Sequence, residues 1–207
     1  MGVRLRKKWD LPSEQRAALA ILGTLFLLGG GAGCLFAALS DGEGAEELSG
    51  YLSGYLELAG GAGAPHDLWA SLWGQMKYQL AAVVLGLTAL GTVGLPVLFG
   101  VRGFLFSFSA ACFVRVFGGR GLIPAFALFG LPALLWAPAL FLTGTPGLLT
   151  AQKLLRRSLG EERGGPPLLD RSLWVRAGGS LGLGLSAGLL EYWVVPVLLR
   201  AASRVVL

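Results

Sequence analysis

Long stretches without a charged residue divide the chain: Ala17–Leu39, Tyr78–Val101 and Gly121–Gln152 carry none, and Ala177–Leu199 carries only Glu191. A hydrocarbon layer of roughly 30 Å is crossed by about 20 apolar residues in helical form, since unpaired backbone amides are not tolerated in lipid. The pattern predicts an all-α, polytopic membrane protein, residues 1–207 forming a single membrane domain. Its five transmembrane helices are expected at about 17–39, 79–101, 103–118, 122–143 and 177–199. The third is the shortest, about 24 Å at 1.5 Å per residue, and fits by local thinning of the bilayer. A re-entrant path for it would reverse every later orientation. The stretch from Gly121 exceeds one crossing, so a break is placed at Gly144-Thr145-Pro146-Gly147, and Pro124, Pro132 and Pro138 predict a kinked fourth span.

Charge placement orients these spans, because Lys and Arg are retained on the cytoplasmic side. Arg4, Arg6, Lys7, Lys8 and Arg16 precede the first span, Arg102 follows the second, and Lys153, Arg156, Arg157, Arg163, Arg171 and Arg176 populate residues 144–176. Residues 40–78 instead hold Asp41, Glu43, Glu46, Glu47, Glu57 and Asp67 against Lys77. The N-terminus is therefore expected inside, the 40–78 loop outside, the 144–176 loop cytoplasmic and the C-terminus outside. In the outer loop Leu48, Tyr51, Leu52, Tyr55 and Leu56 fall on one helical face, as do Trp69, Leu72, Trp73, Met76 and Leu80 after the Gly60–Pro65 break. Two amphipathic helices with aromatics at headgroup level follow, either resting on membrane lipids or cradling a partner.

Composition narrows the class. The chain is 54% hydrophobic and 14% charged, with a mean hydropathy of +0.67, outside the range of soluble domains. The basic start followed by an apolar run imitates a secretory signal, but the run exceeds a signal core of about 7 to 15 residues and reads as a retained span. The pI near 9.6 comes from cations flanking spans, so no nucleic-acid face is expected. Cys34 and Cys112 sit in apolar stretches and have no metal-ligand spacing, so they read as packing residues, and no metal or cofactor is expected.

Two charges at membrane depth stand out, Arg115 in the third span and Glu191 in the fifth. Such a charge costs at least about 2.5 to 3.5 kcal/mol and ordinarily has a partner or a task. At similar depth the two are expected to form an ion pair that locks the third and fifth helices. A proton or cation relay through Glu191 is the functional alternative, although no chain of carboxylates accompanies it. His66, in Ala-Pro-His-Asp, lies in the outer loop, and no nucleophile–base or carboxylate pair lies within the spans, so catalysis is not expected. Gly29/Gly33, Gly178/Gly182 and Gly184/Gly188 have the small-xxx-small spacing of close helix packing; the pairs in the fifth span are the better candidates for a homo-oligomer contact.

The order of features resembles the stage II sporulation protein M family. The shared features are an acidic amphipathic outer loop, Gly94-Leu95-Pro96-Val97-Leu98-Phe99 closing the second span, and Gly103-Phe104 opening the third. Pro138-Ala139 followed by Gly144 resembles the Pro-Ala then Gly of the family's fourth span, and Glu191, Trp193 and Pro196 its Glu, aromatic and Pro in the last. The resemblance covers roughly residues 15–203. Broader relatives place His and Glu where this chain has Pro132 and Trp136.

What the resemblance implies is a noncatalytic anchor in the bacterial cell membrane, at the sporulation septum and mother cell membrane. There it recruits two peptidoglycan-degrading partners, stage II sporulation proteins D and P, for forespore engulfment. Leu48, Tyr51, Tyr55, Trp69 and Trp73 are the partner-binding candidates, with Glu43, Glu46 and Glu47 steering a basic segment. The alternative is a small multi-pass permease or channel using Glu191.

Overall fold

The computed structural model describes residues 13–39, 50, 68–160, 171–194 and 197–198. Every element among them is helical, with no strand. Helix α1 spans Ser13–Leu39, α2 Leu68–Gly86 and α3 Gly91–Phe117. A 3-10 turn, Gly118–Gly121, leads to the single-turn α4 (Leu122–Ala125) and a π turn, Phe126–Gly130. Helices α5 (Leu131–Ser158) and α6 (Arg171–Trp193) complete the order. Two stretches, Ser13–Leu39 and the 68-residue helical run Gly91–Ser158, are long and apolar enough to cross a membrane.

The second run is folded in two, because Gly118 takes φ 61°, a left-handed conformation open to glycine. Gly121 then lies so close to the Phe113 carbonyl that any Cβ would collide with it. Ring contacts climb α3 as they descend the returning strand of helix: Phe113 with Phe129, Phe106 with Trp136, Phe99 with Phe141. The α3–α5 pair is thus an antiparallel hairpin. The α2–α3 turn is tighter still: Thr88 Oγ1 donates to the Leu85 carbonyl at 3.1 Å and Gly91 N–H to the Thr88 carbonyl at 3.1 Å.

Helix α1 runs parallel to α3, its Phe26, Gly33 and Ala37 meeting Gly103, Phe104 and Arg115 in turn. Helix α6 runs antiparallel to α2, Gly188 against Leu72 and Gly184 against Gln79. The main core gathers Leu22, Ala82, Leu95, Phe99, Trp136, Leu140, Leu148 and Ala187, and a smaller one Ala37, Cys112, Phe113 and Ala125. Small residues such as Ala18, Gly30, Gly33 and Ala37 form the buried stripe of α1, while Leu27, Leu28, Leu35 and Phe36 are exposed. Leu22 is the large member of that stripe and belongs to the main core; the small ones let the backbones of α1 and α3 approach closely.

Three helix boundaries differ from the pattern-based expectation. The turn between the second and third helical segments falls at Leu87–Leu90, within the predicted 79–101 span, and Arg102 lies inside the unbroken α3 rather than in a cytoplasmic turn. The charge survives there because neighbouring side chains satisfy it. Helix α5 also runs through Gly144–Gly147 to Ser158, so no break opens at residue 144. Both glycines are used for packing instead: a Cβ on Gly144 would lie 2.5 Å from the Phe99 ring, and one on Gly147 3.2 Å from Gly86 Cα.

Prolines shape the returning helix. Pro132 lacks an N–H and crowds the carbonyl four residues back. Relief comes from the π turn before it, where the Leu131 N–H donates to the Phe126 carbonyl five residues away. Pro138 interrupts the ladder again one layer below.

Candidate functional site

A polar seam runs down the contact between α2 and α6. Four helical positions apart on one face of α2, Gln75 and Gln79 both point toward α6 and α5. Gln79, 1% exposed, donates through Nε2 to the Trp136 carbonyl at 3.1 Å. The fully buried Ser180 hydroxyl lies 2.8 Å from Gln79 Oε1 and 2.9 Å from the Ala139 carbonyl and shares its proton between them. Those two carbonyls flank Pro138, where the main-chain ladder is incomplete. Side chains from two neighbouring helices are therefore tied to the interrupted turn of a third.

One layer higher, Gln75 stands between two charges. Its Nε2 donates to Glu191 Oε2 at 2.7 Å, and its Oε1 accepts from Arg102 Nη2 at 2.8 Å. The Arg102 guanidinium is stacked as well, 4.2 Å from the ring centre of Tyr78 and 4.2 Å from that of Trp136. Two desolvated cation–π contacts contribute about 2 kcal/mol or more each, and a hydrogen bond involving a charge about 1.5–3 kcal/mol. Together they offset the cost of holding a guanidinium at the middle of an apolar helix. Lys77 Nζ lies 5.1 Å from the Tyr78 ring centre, so a second cation shares that aromatic.

Around these groups opens a cleft of about 400 Å³. Gln75, Lys77, Tyr78, Arg102, Ser109 and Glu191 supply its polar wall, and Leu105, Phe106, Leu128 and Phe129 its apolar one. Arg102 Nε is buried without a hydrogen-bond partner. This volume lies in the range of small-molecule pockets, where a few convergent polar groups orient an occupant held by apolar walls.

The expected Glu191–Arg115 pair is not formed. Arg115 donates to the main-chain carbonyls of Ala37 and of Ala38, the latter at 3.2 Å, closing the end of α1 onto α3, whereas Glu191 reaches Arg102 through Gln75. The reason is geometric: carbonyls at a helix C-terminus lack intrahelical donors, and Arg115 supplies one. Cys34 is exposed and Cys112 buried, both as free thiols, Cys112 within the small apolar cluster.

The resemblance-derived positions scatter. A Cβ on Gly94 would lie 2.7 Å from the Leu85 side chain, Pro96 lies within the early turns of α3, and Gly144 carries the Phe99 ring. Trp193 is exposed at the end of α6, and Pro196 lies outside the described residues. Of the outer-loop candidates, Leu48, Tyr51, Tyr55, Glu43, Glu46 and Glu47 lie outside the described residues. Trp69 and Trp73 stand exposed on α2, but Leu72 and Met76, expected on the same face, pack toward Gly188 and Gly184 of α6. Gly29 and Gly33 lie against α3, while Gly178 and Gly182 face open space.

Sequence reading missed Gln75, Gln79, Tyr78, Arg102 and Ser180. The available signal was the i, i+4 spacing of two amides in α2, matched by Ser180 in the uncharged stretch of α6. Comparison with family models, with curated proteins and with solved structures finds no match to this chain.

Proposed function

We propose that the chain is a noncatalytic five-helix membrane anchor that recruits peptidoglycan hydrolases to a septal membrane, as the family it resembles does. The observation that carries the reading is the exposed aromatic edge of α2. Trp69 and Trp73 are 70% and 53% exposed on α2, the helix that Gln75 and Gln79 lock into the bundle. A rigid, aromatic, membrane-level ridge beside an acidic loop suits capture of a membrane-proximal segment. In this reading α1, α2, α3, the returning α4–α5 helix and α6 are the five spans, with the N-terminus cytoplasmic and the C-terminus external. Stage II sporulation proteins D and P are its partners and the sporulation septum its place.

Replacing Trp69 and Trp73 with Ala is expected to release the amidase-type partner in a detergent pull-down; unchanged recovery refutes the assignment. Orientation is checked by thiol labelling of single cysteines placed at 50 and 160. An impermeant reagent applied to intact cells is expected to tag position 50 and spare 160.

A second reading, a small permease or channel, draws on the charged cleft at Glu191, Gln75 and Arg102. It predicts substrate-linked flux in vesicles that Glu191→Gln abolishes. The anchor reading predicts none.

A further inference from the structure

Two helix faces with the same spacing meet at the end of the bundle where α1 begins and α5 finishes. Glu14, Ala17, Ala18 and Ile21 recur at intervals of three and four on α1. Leu149, Gln152, Lys153 and Arg156 repeat that pattern on α5. The two helices run antiparallel, since Leu22 meets Gly144 while Phe26, one turn further along, meets Phe141 and Trp136. The polar ends of the two faces therefore share one level and the apolar ends another, about 10 Å away along the helix axis. Alanines on the α1 side leave room, and a cavity of about 250 Å³ opens between the faces.

Cations that only orient a span need nothing facing them on a neighbouring helix. Here Lys153 and Arg156 line one wall and the Glu14 carboxylate lines the other, yet no ion pair or side-chain hydrogen bond joins any of the three to a described residue. All three are exposed, so their charged groups are open to an occupant. The volume lies below the roughly 300–1,000 Å³ of pockets that enclose drug-sized molecules, so it holds a headgroup and not a whole amphiphile. Ile21, 44% exposed, continues the α1 wall onto the outer surface of the bundle. Two cations and one carboxylate beside an apolar strip match a phosphate and a protonated amine joined to acyl chains. We propose that this cavity binds an aminophospholipid, its phosphate between Lys153 and Arg156, its ammonium on Glu14 and an acyl chain along Ile21 and Leu149. Head and tail then follow the bilayer, the charged end at the helix termini and the chain directed toward mid-span. With the N-terminus cytoplasmic, the lipid belongs to the inner leaflet. The inference rests on the membrane reading of this chain and not on recruitment of hydrolases. An unchanged Trp69 and Trp73 pull-down leaves it standing, and failure of lipid selectivity leaves the anchor standing.

Native mass spectrometry of the full chain in a non-ionic detergent tests it, with phosphatidylethanolamine, phosphatidylglycerol, phosphatidylcholine and soluble phosphoethanolamine as probes. Phosphatidylethanolamine is expected to be retained at one equivalent, about threefold more tightly than either other lipid. Phosphatidylglycerol has no cation for Glu14, and the quaternary nitrogen of phosphatidylcholine has no N–H to donate. Glu14→Gln is expected to erase the preference while leaving phosphatidylglycerol retention undiminished. Lys153→Gln combined with Arg156→Gln should lower retention of all three lipids about tenfold. These positions are exposed, so helical circular dichroism is expected to stay unchanged and to report intact protein. Equal retention of phosphatidylethanolamine and phosphatidylglycerol by the unaltered chain overturns the proposal. So does a preference that survives Glu14→Gln, retention indifferent to loss of both cations, or phosphoethanolamine displacing the lipid at equal concentration, which would mark a site for the soluble headgroup.

Discussion

The α1–α3 contact and the α2–α6 contact join their helices by opposite means. Along α1 and α3 the backbones touch: a Cβ on Gly29, Gly33 or Gly103 would strike the carbonyl of Gly100, Phe104 or Phe26 respectively. Attraction there includes dispersion between closely placed main chains. Along α2 and α6 the contact runs through side-chain hydrogen bonds, Gln75 to Glu191 and Gln79 to Ser180. The first contact fails when atoms are added and the second when atoms are removed. The bundle uses both, closeness where glycine permits it and polarity where a partner is within reach.

The comparison breaks most visibly at the dry contact. Gly103→Leu forces a branched side chain into the Phe26 carbonyl and is expected to cost about 3 kcal/mol, read as a lowered thermal midpoint in detergent. The polar contact is tested by a double-mutant cycle. Arg102→Met and Glu191→Gln should each destabilise by about 2 kcal/mol, discounted from a fully buried pair because both sites are half-buried. Their combination should fall short of the sum by about 1 kcal/mol, because Gln75 links them. Additivity would mean the amide transmits nothing.

Ser180→Ala removes a hydroxyl shared by two acceptors and is expected to cost about 1 kcal/mol by the same measurement. The smallest effect belongs to Gly182→Ala. Its Cβ enters open space, so the change should stay within about 0.5 kcal/mol and distinguish a contact glycine from one that merely shares the spacing.

The all-helical character was legible because uncharged stretches of spanning length leave no other regular structure. The bundle's charged interior was not. Arg102 reads as the end of a span in any account that treats charge as a stop, since nothing in its neighbours along the chain announces Tyr78, Trp136 and Gln75. Those partners lie on other helices and become visible only after folding. Glu191 was recognised as a charge in need of a partner, but equal distance from helix ends selected Arg115, whose guanidinium instead caps α1. Gly144 and Pro146 likewise resemble a terminator in isolation, and it is the Phe99 ring lying on Gly144 that makes the position an interior one.

The π turn at Phe126–Gly130 sets the angular phase of everything beyond it. One residue accommodated in a wider loop advances the following helix by about 100° relative to an uninterrupted α-helix. Trp136, Ala139 and Gly144 meet Arg102, Ser180 and Phe99 only at that angle. Excising a single residue such as Ala127 would leave the composition and length of the segment almost untouched while swivelling all three of these meeting points away from their counterparts.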